Sequence, residues 1–352
     1  MSASDEKAMR WLWAYLSPYR ENPPLPGSQE EWVHIFSAAD YGLVLPRLAL
    51  AMSHETENVL PSVADYLDVV LAMSRLRNEQ LREQLVTLIK SLNCAGVTPF
   101  IIKGATTLLD ENAEIGARSM LDMDVWTPDA ADQTIAADRL GALDYKMRDP
   151  LEWYETSQHF PPFFKDGELS RIELHHKMVN PRYAALVNED AAAATGVERE
   201  FRGARFKLLD PRFALALSYM QCRWSCEART LTMMKWLDLV DRCKDLGVCK
   251  VESCADLGVA DTGADIDRRF LTALSLLTGL PYEGVKDNDF YDAWVRRSSS
   301  SVLVRFFKSF IGKVFDPRIW SDKSLAHILK YAVSHLRKLP ESYNQSKRID
   351  RF

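Results

Sequence analysis

The chain changes its hydrophobic period once and later changes it back, and that double switch restricts its fold more than any other feature. Up to about residue 95, apolar side chains recur at three- and four-residue spacing, most clearly in VADYLDVVLAMSRLRNEQLREQLVTLIKSL. That spacing is the pattern of helices that bury one face. NPPLPGSQ, dense in Pro and Gly, separates the first helix from the next, and Asn93 with Gly96 supplies a stop for the long one. Beyond it the runs shorten and turn β-rich: VTPFIIKG, MLDMDVW, YKMRD, SQHFPPFFKDG and LSRIELHHKM read as strands. Between them ATTLLDENA reads as a helix start, DAADQTIAADRLGALD as a helix capped by Asp129, and Asp166-Gly167 as a hairpin turn. From Asp210-Pro211, an N-cap followed by Pro at the first helical position, the chain is helical again nearly to its end. The expected class is α+β: a small mixed sheet with helices over residues 96–205, flanked by helical parts over 1–95 and 206–352.

A chain of 352 residues that is 47% hydrophobic and 26% charged has ample material for a core, and no low-complexity tract argues for disorder. No apolar run approaches the ~18 residues of a membrane span, and the N-terminus lacks a leader-like apolar segment, so a cytoplasmic location is expected. The six cysteines include no Cys-x-x-Cys spacing, and Cys222 with Cys226, one helical turn apart, reads as a pair of buried thiols. Charge is unevenly spread. The net value is -5, yet Arg296 to Phe352 carries 13 Lys and Arg against four acids, +9, leaving the remainder at -14. Such a segment suits a polyanion such as RNA, or packing on the acidic remainder of the chain. Within it SVLVRFFKSFIGKVF alternates aromatic and basic residues, a pattern for a partner, an anionic surface or a buried helix.

Chemistry concentrates in FIIKGATTLLDENAEIGARSMLDMDVW. Asp122 and Asp124 sit two apart on a strand, so both point to one face while Met123 and Val125 point to the other. Their Cα atoms are then about 6.5 Å apart, a separation at which carboxylates can share divalent cations. Hard oxygen donors suit Mg²⁺ or Mn²⁺. Asp265-Ile266-Asp267 and Asp287-Asn288-Asp289 repeat the spacing, but the first reads as the opening turn of a helix and the second as a solvated loop. In IIKGATT a strand runs into Gly104 and a helix opens near Ala105, an arrangement that favours phosphate, with Thr106 and Thr107 as hydroxyl donors and Lys103 or Arg118 as positive charge. On RIELHH, Arg171, Glu173 and His175 share a face, and Glu173 is the candidate third carboxylate.

These residues together resemble the DNA polymerase β-like nucleotidyltransferase superfamily, and within it a family of uncharacterised bacterial nucleotidyltransferases. The resemblance rests on Lys103-Gly104, Arg118-Ser119, Asp122-Met123-Asp124 and Glu173-Leu174-His175, with a looser likeness at Trp236-Leu237-Asp238 and Asp241. Abortive-infection nucleotidyltransferase toxins look related through the Lys-Gly-x-Thr turn. The resemblance implies a nucleotidyltransferase core whose turn, Lys103, Gly104, Ala105 and Thr106 with Arg118 and Ser119, lines a nucleoside triphosphate. It implies Asp122, Asp124 and Glu173 as catalytic metal ligands, and Mg²⁺-dependent transfer of a nucleotidyl group to a hydroxyl on a small molecule, protein or RNA. Ala105 stands where the superfamily has a second Gly or Ser, and Glu173 where Asp is commoner. A nucleotide- or partner-binding protein of weakened catalysis is therefore the alternative, and an Asp-x-Asp glycosyltransferase, disfavoured by the helical first 95 residues, a further one. His159 and His175 are expected beside the site, because a hairpin would set their strands together.

Overall fold

A computed structural model describes residues 3–154, 157–228 and 232–248. The basic segment from Arg296, its aromatic-basic run, and the Asp265 and Asp287 pairs lie outside the described residues, as does the side chain of Cys226. Cys222 and Cys243 are buried, the Cys222 thiol donating to the Lys235 carbonyl at 3.1 Å, and Cys94 is exposed. Among the described residues no helix is long and apolar enough to cross a membrane.

Four helices open the chain: α1 (Ala3–Leu16), α2 (Gln29–Tyr41), α3 (Leu45–Met52) and α4 (Pro61–Cys94). Ser28 caps α2 by accepting from the Glu31 amide, and α4 starts on Pro61 at its first turn, where a missing N–H costs nothing. It ends as the sequence predicts. Gly96 takes φ +84°, and the amides of Gly96 and Val97 return to the carbonyls of Asn93 and Leu92 at 3.0 Å. The 34 residues of α4 span about 50 Å, long enough to serve two cores. Val63, Leu67 and Leu71 pack with α1 to α3, whereas Leu81, Leu85, Leu88, Ile89 and Leu92 pack beneath the sheet.

The rest of the chain runs β1 (Phe100–Ile101), β2 (Asp122–Trp126), α5 (Ala130–Ala142), β3 (Lys146–Met147), β4 (Phe163–Phe164), β5 (Arg171–His175), α6 (Glu189–Ala194), β6 (Val197–Phe201), β7 (Ala204–Leu208), α7 (Pro211–Ala228) and α8 (Met233–Asp245). The fold is α+β, with a seven-stranded mixed sheet in the order β3-β4-β5-β2-β1-β7-β6. β2 lies parallel to β5 and β7 parallel to β1, while the other neighbours are antiparallel. Asp129 caps α5 by accepting from the amides of Ala131 and Asp132, and the Asp210 carboxylate accepts from the Arg212 amide at the start of α7. Gly167 turns the β4–β5 hairpin at φ +85°.

Two local features differ from the sequence reading. The segment after β1 is not an α-helix: Lys103–Leu109 forms a single 3₁₀ stretch, and without a helical crossover the chain doubles back, so β1 and β2 pair antiparallel. Arg202 and Gly203, both at positive φ, turn a β6–β7 hairpin that the sequence reading leaves unassigned, and β7 continues past residue 205 to Leu208.

Alternation divides the central strands. Met123, Val125, Ile172 and Leu174 face α4 and α5 in the lower core. On the opposite face Trp126 stacks near Phe100 with ring centroids 4.8 Å apart, in the core formed with α7 and α8. The polar residues of that face are left looking up toward those helices. Asn78 fixes the loop that leads into β2, because its buried amide donates to the carbonyls of Ile115 and, at 2.9 Å, Arg118. Asn78→Ala should therefore cost about 1–3 kcal/mol, read as a lower urea midpoint at unchanged slope.

Candidate functional site

Parallel pairing of β2 with β5 sets Asp122 opposite Arg171, Asp124 opposite Glu173 and Trp126 opposite His175. The three carboxylates of the sequence reading thus share one face of two adjacent strands. Arg171 bridges two of them, donating through Nη2 to Asp122 at 3.0 Å and through Nε to Glu173 at 3.1 Å. Lys103, at φ +54° in the turn after β1, puts its ammonium 2.6 Å from Asp124 Oδ1, and His175 Nε2 lies 2.8 Å from the same oxygen. His159 meets His175 in a short bridge beyond β5, with ring centroids 5.3 Å apart, and its Nε2 is 3.6 Å from Glu173 Oε2. Both histidines are therefore brought to the site.

Above this face a cavity of about 340 Å³ is closed by α7 and α8. Lys103, Gly104, Arg118 and the three carboxylates line its floor; Met220, Trp224 and Met234 give it an apolar wall, and Gln158, Asn180 and Gln221 bring amides.

The electrostatics follow from burial beside like charge. Burial, with Asp124 and Glu173 adding, pushes the Asp122 carboxyl up to about 6. Burial acts the same way on Asp124, but the Lys103 ammonium and the His175 hydrogen bond outweigh it and hold that group well below the usual carboxylate range. Lys103 is the mirror case: burial disfavours its charge, and Asp124 and Glu173 more than restore it. Burial brings His159 down to about 4, and burial together with Lys103 does the same to His175, so both imidazoles are neutral at pH 7.

The turn residues separate in space. Gly104 cannot carry a side chain without displacing the Arg118 guanidinium, which occupies the position of its missing Cβ. Arg118 is held there by Asp238 on α8, at 2.7 and 3.3 Å, and donates to Met120 Sδ at 2.8 Å. One turn on, Asp241 pairs with Arg47 of α3, 2.8 Å through Nη2. The glycine thus serves the packing of a guanidinium over the turn, while the Trp236-Leu237-Asp238 stretch anchors it. Thr106 spends its hydroxyl on the Lys103 carbonyl, at 2.8 Å, and opens with Thr107 onto a second cavity of about 790 Å³, whose wall includes Lys103, Gly104 and Arg118 as well. The Ala105 side chain is fully buried in the lower core, and Ser119 contributes its carbonyl to Arg118 Nη1 at 3.4 Å. Ala105 and Ser119 line neither cavity.

Sequence reasoning missed Lys235. It lines the carboxylate cavity, donates to Ser225 Oγ at 2.9 Å, and burial lowers its pKa. The available signal is one cation in the apolar run Met233-Met234-Lys235-Trp236-Leu237, where a solvated helix face would carry more.

The donor set fits a divalent cation. One ligand atom each from Asp124, Glu173 and His175, all buried, lie within 4.8 Å of one another, and added positive charge there would offset the burial and like charge that raise the Asp122 pKa. A fold of this class, with buried acids facing a cavity across two parallel strands, is compatible with phosphoryl chemistry. The chain belongs to a family of uncharacterised nucleotidyltransferases, which matches residues 28–247. The match takes in α2 to α4 and α8 as well as the sheet. No curated protein and no solved structure matches the chain.

Gly104→Ala should displace Arg118 from Asp238 and cost about 1–3 kcal/mol, read as a lower Tm, whereas Ser119→Ala should leave Tm nearly unchanged. The imidazoles give a pH dependence. A histidine lowered from 6.5 to about 4 on folding contributes stability that is fully present above pH 6.5 and is lost as pH falls through 4. Asp122, raised to about 6, acts in the opposite sense over much of the same range. Two imidazoles outweigh one carboxyl, so chelator-treated protein should lose stability between pH 6.5 and 4 in urea titrations. His175→Gln should shallow that slope.

Proposed function

We propose that this protein transfers a nucleotidyl group from a nucleoside triphosphate to an acceptor hydroxyl, as the resemblance to polymerase β-like enzymes implies. The observation that carries the reading is the register that sets Asp124 beside Glu173, with Asp122 on the same face, over a cavity that also receives Lys103. Asp122, Asp124 and Glu173 would hold Mg²⁺ or Mn²⁺, which when bound neutralises the phosphoryl oxygens and aligns the triphosphate. Lys103 lines the same cavity and would offer its ammonium to the triphosphate, with Arg118 over Gly104 adding positive charge to that wall. Glu173 keeps Oε1 on Arg171 and leaves Oε2 to take the acceptor's proton. The new bond joins the acceptor oxygen to Pα, the Pα–O–Pβ bond breaks, and pyrophosphate leaves. The acceptor is a small molecule, a protein or an RNA, and the +9 segment from Arg296 to Phe352 favours a polyanion.

One observation favours a second reading, a nucleotide-binding protein of weakened catalysis. Arg171 and Lys103 already pair with all three carboxylates and offset two of the three charges, which lowers the demand for a metal. Pyrophosphate release from each of the four nucleoside triphosphates with Mg²⁺ or Mn²⁺ separates the two. Transfer predicts release that falls about 10²-fold or more in an Asp124→Asn variant of unchanged circular dichroism. Metal-dependent nucleotide binding with no release would replace the first reading with the second.

A further inference from the structure

The two imidazoles at this site are arranged as metal-ligating histidines are, and nothing in an all-oxygen Mg²⁺ site calls for that. His159 donates from Nδ1 to the Phe160 carbonyl at 2.7 Å, which fixes its tautomer and leaves the Nε2 lone pair facing Glu173 Oε2. At 3.6 Å that contact is too long for a hydrogen bond. His175 turns Nδ1 toward the Lys177 carbonyl at 3.3 Å and Nε2 toward Asp124 Oδ1. In His159 a ring N–H rests on a backbone carbonyl with the other nitrogen aimed at the carboxylates, the way proteins orient histidine toward a metal. In His175 Nε2 carries the proton it gives to Asp124, and a bound cation would shift that proton to Nδ1, where the Lys177 carbonyl can accept it. The Lys103 ammonium marks the place where positive charge is wanted, since Nζ stands against both Asp124 Oδ1, at 2.6 Å, and His175 Nε2, at 3.4 Å. His175 is fully buried, and Asp124 and Glu173 nearly so, at 4% and 8% exposure, so bulk water does not satisfy these atoms.

We propose that His175 Nε2, with Asp124 and Glu173, ligates one cation of this site, so that the site prefers a first-row transition cation such as Mn²⁺ to Mg²⁺, while His159 positions Glu173. The proposal deepens the nucleotidyl-transfer reading by naming the class of its metal, and it rests on a cation binding among Asp124, Glu173 and His175 beneath that cavity. Mg²⁺ keeps oxygen ligands and water, whereas imidazole is a good donor to the transition series. Binding displaces Lys103 from Asp124, which frees the ammonium for an anionic substrate.

The test is pulsed electron paramagnetic resonance on chelator-stripped protein loaded with Mn²⁺, with and without a nucleoside triphosphate. The expected result is a ¹⁴N modulation from a directly bound imidazole, which persists in about tenfold excess Mg²⁺. Protein grown on ¹⁵N-histidine should exchange that pattern for a ¹⁵N one, which identifies the ligand without any substitution. His175→Gln should abolish it and His159→Gln should keep it. Mn²⁺ bound with no nitrogen modulation would overturn the proposal and leave an oxygen-only site that still serves nucleotidyl transfer. Modulation lost in His159→Gln but kept in His175→Gln would overturn the assignment to His175. No Mn²⁺ binding in either state would overturn the proposal, and pyrophosphate release decides separately whether transfer occurs.

Discussion

The parallel pairing of β2 with β5 is the constraint to which the remainder of the site answers. A register that aligns Asp124 with Glu173, and brings Asp122 onto the same face, confines three carboxylates to the buried side of a sheet. Like charges at cross-strand distance destabilise a sheet unless something neutralises them. Arg171 does so from within β5, and Lys103 from the turn after β1. Lys103 reaches Asp124 because it adopts a left-handed backbone conformation, uncommon for a residue with a side chain, and the ion pair with Asp124 accounts for its persistence. The two cations leave one negative charge in surplus, and burial together with Asp124 and Glu173 raises the pKa of Asp122.

A second interaction joins the site to the helical layers. Arg118 leaves the loop ahead of β2, crosses Gly104 and ends on Asp238 of α8. Asp241, one turn along, ties the same helix to Arg47 of α3. The loop into the central strand β2, a 3₁₀ turn, α8 and the N-terminal helices are thereby connected through two guanidinium-carboxylate pairs, both partly shielded from water, where such pairs are stronger than at an open surface. The floor and roof of the cavity are therefore tied to each other through Arg118 and Asp238.

Much of this was legible because it is local. Asp122 and Asp124 against Met123 and Val125, and Arg171, Glu173 and His175 against Ile172 and Leu174, declare their faces by alternation alone. Asp129, Gly96 and Asp210 announce helix ends by chemistry that acts within four residues. The turn at Lys103 was not legible, since a strand followed by Gly and two Thr is equally consistent with a helix or with a 3₁₀ turn. The 3₁₀ turn packs under Arg118, fifteen residues on and held by Asp238 of α8, a contact no local pattern announces. The family resemblance places Ala105 on the nucleotide side, whereas the structure buries its side chain in the lower core. Lys235 was overlooked because its meaning lies in a contact with Ser225 and a cavity formed by non-local packing.

The histidines show the limit of reading by type. Their nearness was inferable from a hairpin, but which nitrogen faces which carboxylate depends on the carbonyls of Phe160 and Lys177. Those carbonyls are available because the chain leaves regular pairing at each end of the β5 bridge, at His159 and after His175. Irregular backbone beside a strand thus does chemical work: it supplies acceptors that a fully paired ladder would have consumed, and it aims two ring nitrogens at acids that the ladder itself positions.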